Sequence, residues 1–94
     1  MKLKIQSIPR RNPDVVYQIV DNEAVLVQPN GGKVTVLNNV GSDIWQFIDG
    51  SNSIKLIVDE LRSRYTMDTE TLTRDILDFI EILLQKKLIA IDNE

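Results

Sequence analysis

The side chains that most often carry out chemistry in proteins are scarce in this sequence. It has no cysteine and no histidine, which excludes disulfides, thiol nucleophiles, imidazole bases, and zinc or iron sites built on sulfur or nitrogen ligands. The acidic residues are scattered and form no calcium-loop motif. The pair Gly31-Gly32 lacks the Lys-Ser or Lys-Thr that follows in a phosphate-binding loop. We therefore predict a protein that is not an enzyme, with no catalytic residues, no metal and no cofactor.

The segment from Lys33 to Leu37 offers a different chemistry, which is main-chain hydrogen bonding. It contains the β-branched residues Val34, Thr35 and Val36 and no proline, as is typical of a strand. At the edge of a sheet, the unpaired N–H and C=O groups of such a strand can pair with a peptide in extended form. This segment is therefore the first candidate for a binding site.

Two further strand patterns place that segment at a sheet edge. Residues 15–20 and 24–28 are rich in β-branched residues, with a polar turn between them and a Pro-Asn-Gly-Gly turn after the second. Together with residues 33–37 they predict a three-stranded antiparallel meander. The first and third strands are then its edges.

Three helices are predicted after the sheet, over residues 39–48, 54–65 and 69–87. Each follows a residue whose side chain can accept hydrogen bonds from the free N–H groups of the first turn. Apolar residues then recur at helical spacing. The second and third helices, joined by a short connection, form a helix-turn-helix-like corner.

The apolar face of the third helix is unusually wide. Leu77 and Leu84 extend it on one side, and Ile82 extends it on the other. These residues could line pockets beside the edge strand. Alternatively, they belong to the core and are covered by the first helix and the apolar C-terminal segment.

The elements predict one α+β domain of winged helix-turn-helix-like form, with a three-stranded antiparallel sheet followed by three helices. The domain is assigned to residues 13–91. A basic N-terminal arm at 1–12, expected to be partly mobile in preference to a paired strand, precedes it. Residues 88–91 are expected to pack back in extended form, and residues 92–94 to form a frayed tail.

The composition of the sequence limits where in the cell the protein is expected and which partners it can bind. The apolar runs are too short for a transmembrane helix, and the N-terminus lacks the apolar core of a signal peptide, so a cytoplasmic protein without a membrane partner is expected. Residues 34–94 carry six basic and eleven acidic side chains. That balance is unfavourable for binding nucleic acid, because contacts to phosphate dominate the affinity.

A longer pattern runs through both halves of the chain. It reads Pro-Asp-Val-Val at residues 13–16, Glu-Ala-Val-Leu at 23–26, Leu-Asn-x-x-Gly-x-x-Ile-Trp-x-x-x-Asp-Gly at 37–50, and Asp-x-x-x-Phe-x-x-x-Leu at 75–83. With these motifs the chain resembles the pyrroloquinoline quinone synthesis protein D family. Members of this family are also known as recognition elements for ribosomally made, post-translationally modified peptides.

The resemblance implies a non-catalytic module that binds the leader segment of a precursor peptide as an added strand. It also implies a partner enzyme that modifies the precursor, such as a radical S-adenosylmethionine protein, a protease or a cyclase. The strand contacts would be Lys33, Val34, Thr35, Val36 and Leu37, and the contacts from the third helix would be Arg74, Leu77, Asp78, Glu81 and Leu84. Structural roles fall to Asn38, Gly41, Trp45, Asp49, Gly50 and Asp75, as cap, close packing, core, turn and local polar anchor.

Two other functions fit the elements. A winged-helix DNA-binding regulator would explain the corner of the second and third helices. However, the hairpins precede the helices, and the third helix presents several carboxylates. A plain interaction domain would use the same edge strand to form a homodimer.

Overall fold

The computed structural model describes residues 3–29 and 32–92, so the predicted turn at 29–32 and the predicted tail at 92–94 fall partly outside it. Five strands and three helices follow one another along these residues. They are β1 (Ile8–Arg11), β2 (Val16–Val20), β3 (Glu23–Val27), β4 (Val34–Val36), α1 (Asn39–Phe47), α2 (Ile54–Arg62), α3 (Thr69–Gln85) and β5 (Ile89–Asp92). Within the described residues, no helix is long and apolar enough to cross a membrane.

Strands β2, β3 and β4 form the predicted antiparallel meander in that order. Asp21 and Asn22 join β2 to β3 with φ angles of 52° and 67°, the backbone of a two-residue type I′ turn. The prediction of three strands followed by three helices is confirmed, and β2 and β4 are edge strands of this sheet. Their bounds differ from the predicted ones by one or two residues.

Side-chain caps fix where the helices begin. The Oδ1 atom of Asn38 accepts a hydrogen bond from the N–H of Gly41 at 2.8 Å, and the Oγ of Ser53 accepts one from the N–H of Leu56 at 3.1 Å. Asp68 caps α3. The hydroxyl of Thr71 donates to the Asp68 carboxylate at 2.6 Å, which lowers the pKa of Asp68.

Helix α2 ends at Arg62, three residues earlier than predicted. Tyr65 therefore lies in the connection between α2 and α3, where its side chain contacts α1. The hydroxyl of Tyr65 donates a hydrogen bond to the Oδ2 atom of Asp43 at 2.6 Å. This bond requires the protonated phenol, so it raises the pKa of Tyr65 above its usual value. The connection between α2 and α3 is thereby held against α1.

A second sheet, not expected from the sequence, joins the two ends of the described chain. Strand β1 pairs antiparallel with β5, in register from Ile8 opposite Asp92 to Arg11 opposite Ile89. On its other side, the carbonyl of Pro9 accepts a hydrogen bond from the N–H of Gly50 at 3.1 Å. From residue 8 onward the predicted mobile arm is therefore an integral strand. The return of the C-terminal segment as a strand agrees with expectation.

The meander and the helices meet around two buried residues of α1. Trp45 is fully buried, and the ring of Tyr17 from β2 forms a T-shaped contact with it at a centroid distance of 5.5 Å. Ser42 is also buried. Its Oγ accepts a hydrogen bond from the N–H of Ala24 at 2.6 Å and donates to the carbonyl of Leu37 at 3.2 Å. One hydroxyl thus connects α1, β3 and the end of β4.

Replacement of Ser42 with alanine should lower the free energy of unfolding by about 1–3 kcal/mol, because it leaves the N–H of Ala24 buried without a partner. Urea unfolding followed by tryptophan fluorescence measures the change. Ser63→Ala is the matched control, since the Ser63 hydroxyl is exposed where it donates to Glu60, and it should cost no more than about 0.5 kcal/mol. Equal stability of the two variants would contradict this role of Ser42.

Candidate functional site

The free edge of β4 presents backbone groups with no partner in the sheet. The N–H of Gln28 donates to the carbonyl of Lys33, and the N–H of Leu37 donates to the carbonyl of Ala24, both at 2.9 Å. In an antiparallel pair, inward bonding alternates along the strand. The N–H and C=O groups of Val34 and Val36 therefore face away from β3. This edge can form main-chain hydrogen bonds with an additional strand.

The side chains of β4 alternate between two sides of the sheet. Val34 and Val36 are 61% and 57% exposed on the outer side. Thr35 lies opposite the fully buried Leu26, and Leu37 is buried, so these two residues and Lys33 mark the inner side. The inner side is the one that continues toward α3.

An apolar cavity of about 320 Å³ lies between the end of β4, α1 and α3. The residues that line it come from all three elements and from the connection before α3. They are Val36, Leu37, Asn38, Val40, Gly41, Ile44, Met67, Leu72, Asp75, Ile76 and Phe79. Met67 is 42% exposed, and Asp75, which was expected to be a polar anchor, is exposed. The cavity is open to solvent and can receive an apolar side chain.

A second cavity of about 650 Å³ borders the start of β4 and the C-terminal end of α3, and its lining is polar. The lining residues are Gln28, Lys33, Val34, Thr35, Gln85, Lys86 and Lys87. Three of them are lysines. The two cavities lie at opposite ends of β4, along the surface between β4 and α3, which we call the β4–α3 groove. One end of this groove is apolar and the other end is basic.

The residues near α3 that line the two cavities differ from the α3 residues predicted to bind. The α3 residues that line the apolar cavity, Leu72, Asp75, Ile76 and Phe79, share one side of the helix at 100° per residue. The helix residues predicted to bind, which are Arg74, Leu77, Asp78, Glu81 and Leu84, lie on other sides and line neither cavity. Leu77 and Leu84 instead pack partly buried against the core. All five predicted strand residues, by contrast, line one of the two cavities.

Some residues of α3 that line the apolar cavity were not predicted to bind, because their spacing is that of core residues. Leu72, Ile76 and Phe79 recur at the helical spacing that is typical of core positions, and Leu72 and Ile76 are indeed buried. Phe79 is only half-buried, because the groove leaves one side of it open. The i, i+3, i+7 spacing of Leu72, Asp75 and Phe79 was the available signal, since it places a carboxylate on an otherwise apolar face.

A close backbone approach shapes the apolar cavity. A Cβ atom on Gly41 would lie 3.1 Å from Cζ and 3.2 Å from Cε1 of Phe79, which is closer than ordinary van der Waals contact. Glycine at this position therefore lets the Phe79 ring lie against α1. This agrees with the close-packing role expected for Gly41.

Gly41→Ala should push the Phe79 ring into the cavity while the domain stays folded, because the half-buried ring has room to move. The chain has two phenylalanines, so the ring resonances of Phe79 can be assigned by NMR and should shift. Gln46→Ala, on the same helix but outside the cavity lining, is the control. An unchanged Phe79 ring in Gly41→Ala would show that this contact does not shape the cavity.

The sequence matches a known family over most of its length. A model of the family described as coenzyme PQQ synthesis protein D (PqqD) matches residues 23–89. The chain belongs to the PqqD family. The matched residues include β3, β4 and all three helices, and hence both cavities. No curated protein sequence matches this PqqD-family chain.

Three solved structures share its fold. TbiB1 in complex with the TbiA(beta) leader peptide has a TM-score of 0.80 and 32% identity, covering 85% of this chain and 93% of TbiB1. Lasso peptide synthetase B1 complexed with the leader peptide has a TM-score of 0.80 and 22% identity, covering 88% and 98%. The heterocyclase TruD has a TM-score of 0.65 and 15% identity, covering 92% of this chain but 12% of TruD. The PqqD-family fold thus occurs both as a small protein and as a part of a much larger one.

Proposed function

We propose that this PqqD-family chain is a non-catalytic module that binds the leader segment of a ribosomally made precursor peptide. The leader adds as a fourth strand at the free edge of β4, with side chains in the groove along α3. The single observation that carries the proposal is the open edge at Val34 and Val36 beside an apolar cavity. TbiB1, at 32% identity, was solved with a leader peptide, which supports the same class of ligand here.

The free energy of binding a leader peptide in the groove can be estimated from the interactions that the groove offers. Val34 and Val36 offer four outward main-chain groups, each worth about 1 kcal/mol when paired. An apolar side chain in the 320 Å³ cavity adds about 1.5–3 kcal/mol. A disordered leader loses conformational entropy on binding, and additional contacts along the groove offset part of this loss. Dissociation constants of 1 mM and 1 μM correspond to about 4 and about 8 kcal/mol, and the expected affinity lies between these two values.

The module would present the bound precursor to a modifying enzyme, such as a radical S-adenosylmethionine protein, a protease or a cyclase. Strand addition suits this role because it holds one segment of the peptide while the remainder stays extended and accessible. The match to a small part of the heterocyclase TruD supports work alongside a modifying activity.

Titration of the protein with the leader encoded beside its gene should shift the backbone amides of Val34 and Val36 most strongly. Ring signals of Phe79 should shift as well, since it lines the cavity. NMR spectra of labelled protein follow both. Shifts confined to α2, or none at saturating peptide, would overturn the proposal.

Val34→Pro should abolish peptide binding with modest loss of stability, because it removes an N–H that faces outward and no bond within the sheet. Ile19→Pro is the matched control at the opposite edge. The two-residue turn makes Val20 and Glu23 a hydrogen-bonded pair, so the N–H of Ile19 faces outward from β2. Calorimetric titration should show binding lost only in Val34→Pro. Equal affinity of the two variants would exclude addition at β4.

A further inference from the structure

The two ends of the β4–α3 groove differ in charge. Lys33, Lys86 and Lys87 line one cavity, and within the described ranges none of them forms an ion pair, in contrast to Lys55 and Arg64. The whole chain carries a formal net charge of −3. A group of three unpaired lysines is therefore a local exception in an acidic protein.

The dipole of α3 explains the positions of only two of these three lysines. Lys86 and Lys87 follow the last turn of α3, where the helix dipole favours cations. Lys33 precedes β4, across the cavity, and no helix end accounts for it. Its position adds a positive charge on the strand side of the groove, which is the side that an added strand would occupy.

The lysines of α3 are held in place through their backbone. The side-chain amide of Gln28 donates to the carbonyl of Lys86 at 2.8 Å, and that of Asn12 donates to the carbonyl of Lys87 at 3.0 Å. Lys87 has a φ of 62°, the left-handed conformation that ends the helix. These contacts hold the backbone of Lys86 beside the end of β3 and the backbone of Lys87 beside the end of β1.

The alternation of side chains along β4 sets the distance between the basic end and the apolar end of the groove. Lys33, Thr35 and Leu37 share the inner side of β4, and a strand added beside it alternates in the same way. Peptide residues opposite Lys33 and Leu37 therefore both face inward and are four positions apart, about 13 Å. The first lies at the lysines and the second at the apolar cavity.

From this geometry we propose that the groove selects a peptide with an acidic side chain four residues from a large apolar side chain. The proposal rests on the strand addition proposed above and specifies its sequence requirement. The carboxylate lies among Lys33, Lys86 and Lys87, and the apolar side chain enters the cavity beside Phe79. The spacing is the same whether the peptide runs parallel or antiparallel to β4.

Selection of displayed twelve-residue peptides, randomised at every position, against the full chain tests this requirement. Enriched peptides should carry Asp or Glu four positions from an aromatic or long aliphatic residue. Changing that acid to its amide should weaken binding about fivefold in 50 mM salt, and the difference should vanish in 1 M salt because exposed charges are screened.

Charge reversal supplies the matched control. Lys33→Glu should weaken the preference for an acidic residue, because Lys86 and Lys87 remain beside the new carboxylate. Lys4→Glu changes the net charge equally but lies outside both cavities, so it should leave the acidic preference intact. Peptides that shift the amides of Val34 and Val36 without an acidic preference would overturn this inference and leave strand addition standing. If no selected peptide shifts those amides, strand addition itself is overturned.

Discussion

The hydroxyl of Ser42 is the interaction on which the arrangement of sheet and helices depends. It lies where α1 crosses the ends of β3 and β4, and it bonds one backbone group from each side. Backbone groups buried at such a junction must find partners, and the hydroxyl provides one for the N–H of Ala24 and one for the carbonyl of Leu37. The hydroxyl therefore fixes both the angle of α1 and the place where β4 ends, and with it the wall of the apolar cavity.

The same junction accounts for the difference between the two edges of the meander. Both β2 and β4 expose outward backbone groups, but only β4 runs beside α3 with an apolar cavity at its end. The cavities near β2 are lined largely by polar groups, such as Arg11 and Asp49 in one and Asn22 and Asp43 in another. An extended peptide gains main-chain bonds at either edge, and at β4 the apolar cavity among the described residues adds a place for an apolar side chain.

What could be predicted from the sequence was mostly local. The caps at Asn38 and Ser53 act within one helical turn, and the turn at Asp21 and Asn22 joins neighbouring strands, so short patterns were sufficient to locate them. The open edge of β4 also followed from the order of the strands. Family resemblance added the class of ligand, which no local pattern contains.

The features that the sequence did not reveal depend on distant residues. Periodicity identifies the buried centre of α3 but not its open flank, because that flank is decided by where α1 and β4 lie. Helical spacing therefore gives Phe79 a core position, and for Leu77 and Leu84 it leaves both a pocket and a core position open. Strand β1 is four residues long and contains Pro9, so its pattern is weak without knowledge that β5 lies opposite.

The pairing of β1 with β5 also has a consequence for how the protein is made. Among the described elements, β1 is translated first and β5 last, and a ribosome adds about 5–20 residues per second. Pro9, which is buried in the finished domain, therefore waits several seconds for its partner strand. Strand β4 and α3 are complete before that moment. The nascent chain thus possesses every element of its groove before the strand that locks its two ends together has left the ribosome.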